Sequence, residues 1–241
     1  LRALCIVIAL AILAAILAVL TPILMPKYLT QSKEGSLTEE YYASVAETDH
    51  DVIFIGDCEI FESFVPAILW EEYGISAYLR GGAQQLVWHS YYMLEDALRY
   101  ETPKVMVFNV LSMKYDTPQS TGNQSQREAY NRMTLDGMRW SMSKWNAIQA
   151  SMTEEEKEKE AEFSYLLPIL RYHDRWSQLT GEDFKYWFKR DTVSDNGYLM
   201  QTGVKPLKDE HVERPLVNYD FGENSWYYLD KMTQLCKSKG T

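Results

Sequence analysis

The chain has 241 residues, of which 46% are apolar and 24% charged, a composition that suits one large folded domain and excludes wholesale disorder and collagen-like structure. Its formal net charge is −10 and no stretch is strongly basic, so nucleic acid is not expected as a partner. The three cysteines, Cys5, Cys58 and Cys236, have the spacing of neither a disulfide framework nor a zinc site, so no metal is expected.

The first predicted element is a membrane helix. From Ala3 to Met25 the sequence is uncharged and nearly all apolar, long enough to span the ~30 Å hydrocarbon layer. A cleaved secretory signal is the alternative, but its apolar core usually has only about 7–15 residues and ends at a small-residue cleavage site. We therefore predict a transmembrane anchor over residues 1–25. If a short basic tail before this anchor stays in the cytoplasm, the chain is a single-pass protein of the cell membrane and its soluble part is extracytoplasmic.

An alternation of strands and helices follows a polar, acidic segment at residues 26–50, which we predict to be a stalk. Short apolar runs predict buried strands, and spaced apolar stripes predict helices between them. The strands are predicted at 52–55, 76–79 and 104–110, and the helices at 66–73 and 84–100. Strands joined by helices imply right-handed crossovers and a parallel sheet, so the sequence predicts an α/β domain from residue 51 to 241.

The alternation stops after the third strand. A polar loop and mostly helical patterns follow, which we predict to form a large helical insertion at about 116–222. Residues 224–238 predict a last amphipathic helix, with Gly240 as its C-cap. A fourth strand would be expected next, so we expect the chain to be cut at both ends and the domain to lack its C-terminal part.

The first strand runs into Gly56-Asp57-Cys58-Glu59, a candidate catalytic loop. In open α/β sheets, ligands bind beyond the carboxyl ends of the strands. Gly56 permits a tight turn, and the partial positive charge at the start of the next helix would favour a Cys58 thiolate. A thiolate is a nucleophile at neutral pH, so we predict Cys58 to be catalytic; the alternative is a small buried hydrophobic residue.

These residues suggest a family. Phe54 to Cys58 resembles the first block of the SGNH/GDSL hydrolases, in which an apolar strand runs into Gly-Asp-Ser and the serine attacks an ester. Gly81-Gly82 is similar to the second block, whose glycine donates a backbone N–H to the oxyanion hole. Asn109 stands where the third block uses an Asn side chain as another oxyanion donor. The resemblance implies a three-layer, flavodoxin-like parallel sheet with Cys58 as nucleophile, Asp57 supporting it, and Gly81, Gly82 and Asn109 in the oxyanion hole.

The chain departs from this family in three ways. Cysteine replaces serine, so the intermediate would be a thioester. The third block reads Asn109-Val110-Leu111-Ser112 and lacks Gly-x-Asn-Asp. The family's general base, the histidine of an Asp-x-x-His motif, would lie beyond Thr241.

The sequence has four histidines that could replace that base. His50 precedes the first strand, at the opposite end of the sheet from Cys58, and His89 lies in the following helix, where it could point either way. His173 lies among arginine, aspartate and aromatic residues that would suit a sugar site or a packed helix. His211 lies in a charged loop and is expected to be solvated.

Tryptophans are frequent on the predicted insertion and could fill the core between helices and sheet or form a carbohydrate platform. We favour the core interpretation for all four, Trp140, Trp145, Trp176 and Trp187.

The sequence thus predicts a membrane-anchored, SGNH/GDSL-like esterase or O-acyltransferase. Its substrates would be acyl esters, acetyl above all, of cell-envelope glycans. The anchor and insertion are similar to those of DltD and the alginate-acetylation proteins, which implies a membrane-bound O-acyltransferase as a further partner. No P-loop, HExxH or dinucleotide motif is present, so no cofactor is expected. The alternative is a non-catalytic SGNH-shaped accessory protein that binds glycan or the acyltransferase; an anchored structural stalk has little in its favour.

Overall fold

A computed structural model describes residues 2–26, 34–185, 187–188, 192, 194–200, 203 and 220–241. The chain divides into two compact units. The first comprises Leu1–Lys33 and Met152–Thr192, and the second comprises Glu34–Ser151 and Val193–Thr241.

The first unit is helical. Its helices are α1 (Arg2–Leu24), α8 (Glu154–Glu158), α9 (Phe163–Leu166), α10 (Ile169–Tyr172) and α11 (Gly181–Lys185). Helix α1 is long and apolar enough to cross a membrane, a property that signal sequences share, and no residue of its most apolar 18-residue window is buried. Short 3-10 turns and tight bends separate the other helices.

The second unit is an α/β structure. Its strands are β1 (Val52–Gly56), β2 (Ala77–Gly81) and β3 (Val105–Phe108), and its helices are α2 (Glu34–Glu47), α3 (Cys58–Ser63), α4 (Pro66–Tyr73), α5 (Val87–Ala97), α6 (Gln124–Leu135), α7 (Met142–Ala150) and α12 (Glu223–Lys239). The strands form one parallel sheet in the order β2-β1-β3, which confirms the predicted parallel α/β arrangement.

Both faces of this sheet are covered, as the uninterrupted apolar strands require. Successive side chains of β1 point to opposite faces: Ile53 and Ile55 belong to a large cluster with α2, α5 and α12, while Phe54 belongs to a smaller cluster with α3 and α4. The sheet is therefore the middle layer of this unit.

Two helices of the second unit begin or end where the sequence predicts. Helix α4 has Pro66 in its first turn and ends at Gly74, whose φ of 65° is left-handed. Helix α12 ends at Gly240, with a φ of 78°, which confirms the predicted C-cap.

The predicted stalk at residues 26–50 is wrong for its second half. Residues 34–47 form α2, and Tyr41 and Tyr42 of that helix are buried in the large core cluster. Leu37, Tyr41 and Val45 recur every four residues, which puts them on one side of a helix. The many polar residues between them conceal this apolar stripe.

The core interpretation of the inserted tryptophans is also wrong for three of the four. Trp176 is 72% exposed and Trp140 and Trp187 are each 49% exposed, while Trp145 is half-buried. None of these three rings lies on an α-helix: Trp176 is in a 3-10 turn, Trp140 in a bend and Trp187 in a turn, so no helix face directs them inward.

Candidate active site at the carboxyl ends of the strands

The carboxyl ends of the three strands bring the sequence-predicted loop residues together. The sheet register pairs Gly56 with Gly81, and the Asn109 N–H donates to the Ile55 carbonyl at 2.9 Å. A side chain on Gly56 would collide with Cβ of Asn109 and would lie 2.8 Å from Cγ1 of Ile60. The end of β1 therefore requires glycine, because Asn109 and α3 approach its backbone closely.

Gly81 meets the same turn from the other side. A Cβ on Gly81 would lie 3.1 Å from the Gly56 carbonyl oxygen and 3.2 Å from that of Asp57. The ends of β1 and β2 therefore pack backbone against backbone next to Cys58.

Asp57 acts as the N-cap of α3, the helix that begins at Cys58. Its carboxylate accepts a hydrogen bond from the Glu59 N–H at 3.1 Å. The side chain is buried, and this burial raises its pKa above the ordinary value. Asp57 therefore caps the start of α3, where Cys58 lies.

Cys58 is partly exposed and packs beside the smaller core cluster. Burial and the carboxylates of Asp57 and Glu62 raise the pKa of its thiol. The expected thiolate is therefore wrong for this state of the site. Helix α3 has only six residues, and the surrounding negative charges outweigh the positive end of so short a helix.

Asn109 already has partners for its amide. Its Nδ2 donates to Glu59 Oε2 at 2.8 Å, and its Oδ1 accepts from the Leu111 N–H at 2.8 Å. A carboxylate thus accepts one of the two N–H groups of the amide that would bind an oxyanion. Glu59 is the residue that sequence reasoning missed; its place in the first turn of α3, one residue after Cys58, is the signal that points to it.

Gly82 also differs from its predicted role. Its N–H donates to the Gly56 carbonyl at 3.2 Å and extends the strand pairing by one bond. It is therefore engaged in the sheet and cannot also donate to an oxyanion in this conformation.

His50 lies in a buried polar cluster before β1, away from the strand-end loops. Its Nε2 lies 3.1 Å from Ser44 Oγ and its Nδ1 lies 3.0 Å from Glu101 Oε2. The three side chains are thus connected in the same order as in a catalytic triad of serine, histidine and acid. The His50 side chain is only 1% exposed, so no ester can reach Nε2. Tyr41 also donates to Glu101, at 2.7 Å, and the cluster ties α2 to the start of β1.

His89 is completely buried in a second polar cluster. Its Nδ1 accepts from the Leu86 N–H at 3.1 Å, so Nε2 carries the proton and donates to Ser151 Oγ at 2.7 Å. Burial lowers the pKa of His89 to about 3, which keeps the ring neutral. It is a core residue that joins α5 to the end of α7.

Neither of the other two histidines belongs to the described residues of the second unit, which contains Cys58. His173 belongs to the first unit, where its Nδ1 lies 3.1 Å from the Leu170 carbonyl oxygen. His211 lies outside the described residues. Within those residues, no group of three or more His, Cys, Asp or Glu side chains could hold a metal ion.

Comparisons with known protein families, with curated proteins and with solved structures found no match to this chain.

Proposed function

We propose that this chain is a membrane-anchored, SGNH/GDSL-like protein that cleaves or transfers acyl groups, above all acetyl, on cell-envelope glycans, with Cys58 as nucleophile. The observation that supports the proposal is the meeting of Cys58, Gly81 and Asn109 at the carboxyl ends of three parallel strands. The strand order β2-β1-β3 is also the beginning of the flavodoxin-like order.

In the proposed chemistry the Cys58 thiol passes its proton to a base while its sulfur attacks the acyl carbonyl carbon, and the same base later gives that proton to the leaving sugar oxygen. The carbonyl electrons move onto oxygen, where the Gly81 N–H and the Asn109 amide would stabilise the charge. When this intermediate collapses, the bond to the sugar oxygen breaks and that oxygen takes a proton. The resulting thioester then passes its acyl group to water or to an acceptor hydroxyl. The family resemblance assigns the proton transfers to the histidine of an Asp-x-x-His motif.

The Glu59 carboxylate accepts one of the two N–H groups of the Asn109 amide, and its negative charge would repel an oxyanion bound at the other. Glu59 is exposed, so its carboxylate can turn into solvent at little cost. We infer that substrate binding displaces Glu59, which makes the hydrogen bond between Glu59 and Asn109 a resting state of the site.

The test is acylation by p-nitrophenyl acetate of the protein expressed from its complete gene. We expect a burst of p-nitrophenol and an acetyl group on the Cys58 peptide, both lost in Cys58→Ala. Cys5→Ala is the matched control, because Cys5 is an exposed thiol in α1. Acylation that is unchanged in Cys58→Ala overturns the nucleophile.

A second candidate function is a non-catalytic accessory protein that binds glycan or a membrane O-acyltransferase. The carboxylate on Asn109 and the raised thiol pKa favour it, because both oppose acyl transfer. In that case an O-acetylated oligosaccharide would bind with the same Kd to the natural protein and to Cys58→Ala, and would keep its acetyl groups on long incubation.

Membrane attachment through α1 belongs to the same proposal, with the second unit on the extracytoplasmic side. It is supported by the length and apolar character of α1. We expect the protein to float with lipid vesicles after alkaline carbonate extraction, whereas a chain that lacks residues 1–25 stays in the soluble fraction.

A further inference from the structure

Large apolar side chains crowd the surface of the first unit between residues 163 and 188. Phe188 is 93% exposed and Trp176 is 72% exposed. We call this surface the aromatic platform; its members are Phe163, Leu166, Leu167, Leu170, Trp176, Phe184, Trp187 and Phe188. Single exposed apolar residues are normal at a protein surface, whereas eight large ones among the described residues of this 26-residue segment favour an interaction site there.

The same segment lies against the end of α1. Helices α10 and α11 and the 3-10 turn His173–Gln178 all contact α1. Within that turn, Arg175 donates through Nη1 to the Leu24 carbonyl oxygen at 2.6 Å and through Nη2 to Asp183 at 2.9 Å. The last carbonyls of a helix lack partners within it, so Arg175 satisfies one of them at the end of α1.

This contact sets the depth of the platform relative to a membrane that α1 crosses. Twenty-three residues at ~1.5 Å per residue give a helix of about 34 Å, close to the ~30 Å hydrocarbon layer. Leu24 is its last residue and therefore lies near the boundary with the headgroups. Tryptophan and other aromatic rings accumulate at that level of membrane proteins, where one side of the ring is apolar and the other wet.

The net charge of residues 163–188 favours insertion of apolar rings into the membrane boundary over attraction to charged headgroups. Residues 163–188 contain three basic side chains, Arg171, Arg175 and Lys185, and three acidic ones, Asp174, Glu182 and Asp183, so their formal charges cancel. A surface that bound anionic headgroups by charge would carry an excess of lysine and arginine. Insertion of apolar rings into the boundary region requires no such excess.

We propose that the aromatic platform inserts into the headgroup boundary of the bilayer that α1 crosses, so that the first unit lies on the membrane as well as in it. The inference rests on the proposed membrane attachment through α1 and is independent of the chemistry at Cys58. Because the segment is neutral, zwitterionic lipid is sufficient and added salt does not release the platform.

The experiment places the protein expressed from its complete gene in phosphatidylcholine vesicles, with or without bromine on the upper part of the acyl chains. Bromine quenches nearby tryptophans, and we expect the double substitution Trp176→Phe and Trp187→Phe to remove most of this quenching. Trp70→Phe is the matched control, because Trp70 is 62% exposed on α4 of the other unit, and we expect it to leave the quenching unchanged.

Flotation of the same vesicles tests the membrane attachment through α1 separately from the insertion of the aromatic platform. Protein that floats while its quenching is unaffected by the double substitution overturns the insertion of the aromatic platform. Protein that fails to float overturns both the attachment and the platform. Neither result changes the acylation assay with Cys58→Ala, which tests the catalytic proposal separately.

Discussion

The Cys58 sulfur lies at the first position of a six-residue helix, and the carboxylates of Asp57, Glu59 and Glu62 all act on it. Burial and these negative charges disfavour the thiolate more than the short helix favours it. Next to it, Glu59 holds the Asn109 amide. Single side chains thus raise the pKa of the Cys58 thiol and engage the Asn109 amide, and each can be substituted without changing a strand residue.

The raised pKa of Cys58 predicts slow alkylation near neutral pH. An ordinary cysteine thiol has a pKa of 9.0. Since only the thiolate reacts, we expect the rate of Cys58 alkylation by iodoacetamide to keep rising above that pH. Glu62→Gln removes one of the charges and should speed alkylation at pH 8 by roughly twofold. Mass spectrometry of the Cys58 peptide measures the rate, with the exposed Glu71→Gln as control. A rate that levels off below pH 8 would show a low-pKa thiolate instead.

Removal of the Glu59 side chain should release Asn109. If Asn109 is an oxyanion donor, Glu59→Ala should raise the rate of acylation by p-nitrophenyl acetate by about tenfold, less than the ~10²–10³ attributed to one complete donor. Because the loss of this carboxylate also lowers the pKa of the Cys58 thiol, Asn109→Ala should cancel only the part of the gain that comes from the oxyanion donor. An unchanged rate in Glu59→Ala contradicts the role of Asn109 and favours the non-catalytic accessory function.

At the scale of elements, the close contact of three strand ends defines the candidate site. Gly56 and Gly81 end β1 and β2 and Asn109 follows β3, and the side chains of Asn109 and Ile60 lie too close to admit a side chain on Gly56. The apolar runs of the sequence predict these strands, and the glycines after them predict tight turns. The sequence does not predict that Gly82 continues the strand pairing, because a backbone hydrogen bond leaves no mark on residue type.

Gly56→Ala tests this packing. The new methyl group would collide with Asn109 and Ile60, so we expect a loss of about 1–3 kcal/mol in the free energy of unfolding. Gly181→Ala is the control, because no atom lies within 4 Å of its would-be Cβ, and its effect should stay within about 0.5 kcal/mol. Urea denaturation followed by circular dichroism measures both. Equal stabilities of the two variants would contradict the close approach.

At the scale of the whole molecule, the core of the second unit holds charged groups that the sequence alone would place at the surface. Arg80 of β2 is fully buried, where it donates to Asp96 at 2.5 Å and to the Met93 carbonyl at 2.7 Å and stacks on Tyr41. A second buried cluster joins His50 to Glu101. Both clusters connect α2 to the sheet and α5, so they set how this helix docks.

Removing one partner of the Arg80–Asp96 pair should destabilise the protein strongly, whereas replacing both with apolar residues should destabilise it little. Asp96→Ala leaves a buried charge without its partner, and we expect a loss of about 3–5 kcal/mol in the free energy of unfolding. The double variant Arg80→Met, Asp96→Leu should regain most of that loss, because no buried charge remains. Chemical denaturation of both variants checks this. A double variant as unstable as Asp96→Ala would show that the pair itself specifies the fold.

The Glu101 cluster predicts a loss of stability in acid. Burial alone would raise the pKa of Glu101, but hydrogen bonds from His50 and Tyr41 hold it below the ordinary value. A lowered pKa in the folded state stabilises the protein above the unfolded pKa, and this contribution disappears as pH falls through the folded pKa. We expect Glu101→Gln to flatten the decline of the free energy of unfolding below about pH 5. If the free energy of unfolding falls with pH equally steeply in the natural protein and in Glu101→Gln, this role of Glu101 is contradicted.

The sequence by itself determined the parallel α/β arrangement, the apolar helix α1 and the caps of α4 and α12, because local residue patterns and glycine or proline positions specify these features. Only the tertiary structure decided that residues 34–47 join the core and that Trp176 and Trp187 are exposed. It also decided that the Glu59 carboxylate accepts a hydrogen bond from the Asn109 amide. The physical reason is that burial, pKa and hydrogen-bond partners depend on groups far apart in the chain. Composition and spacing record which residues are present, whereas the charge around Cys58 depends on which of them fold next to it.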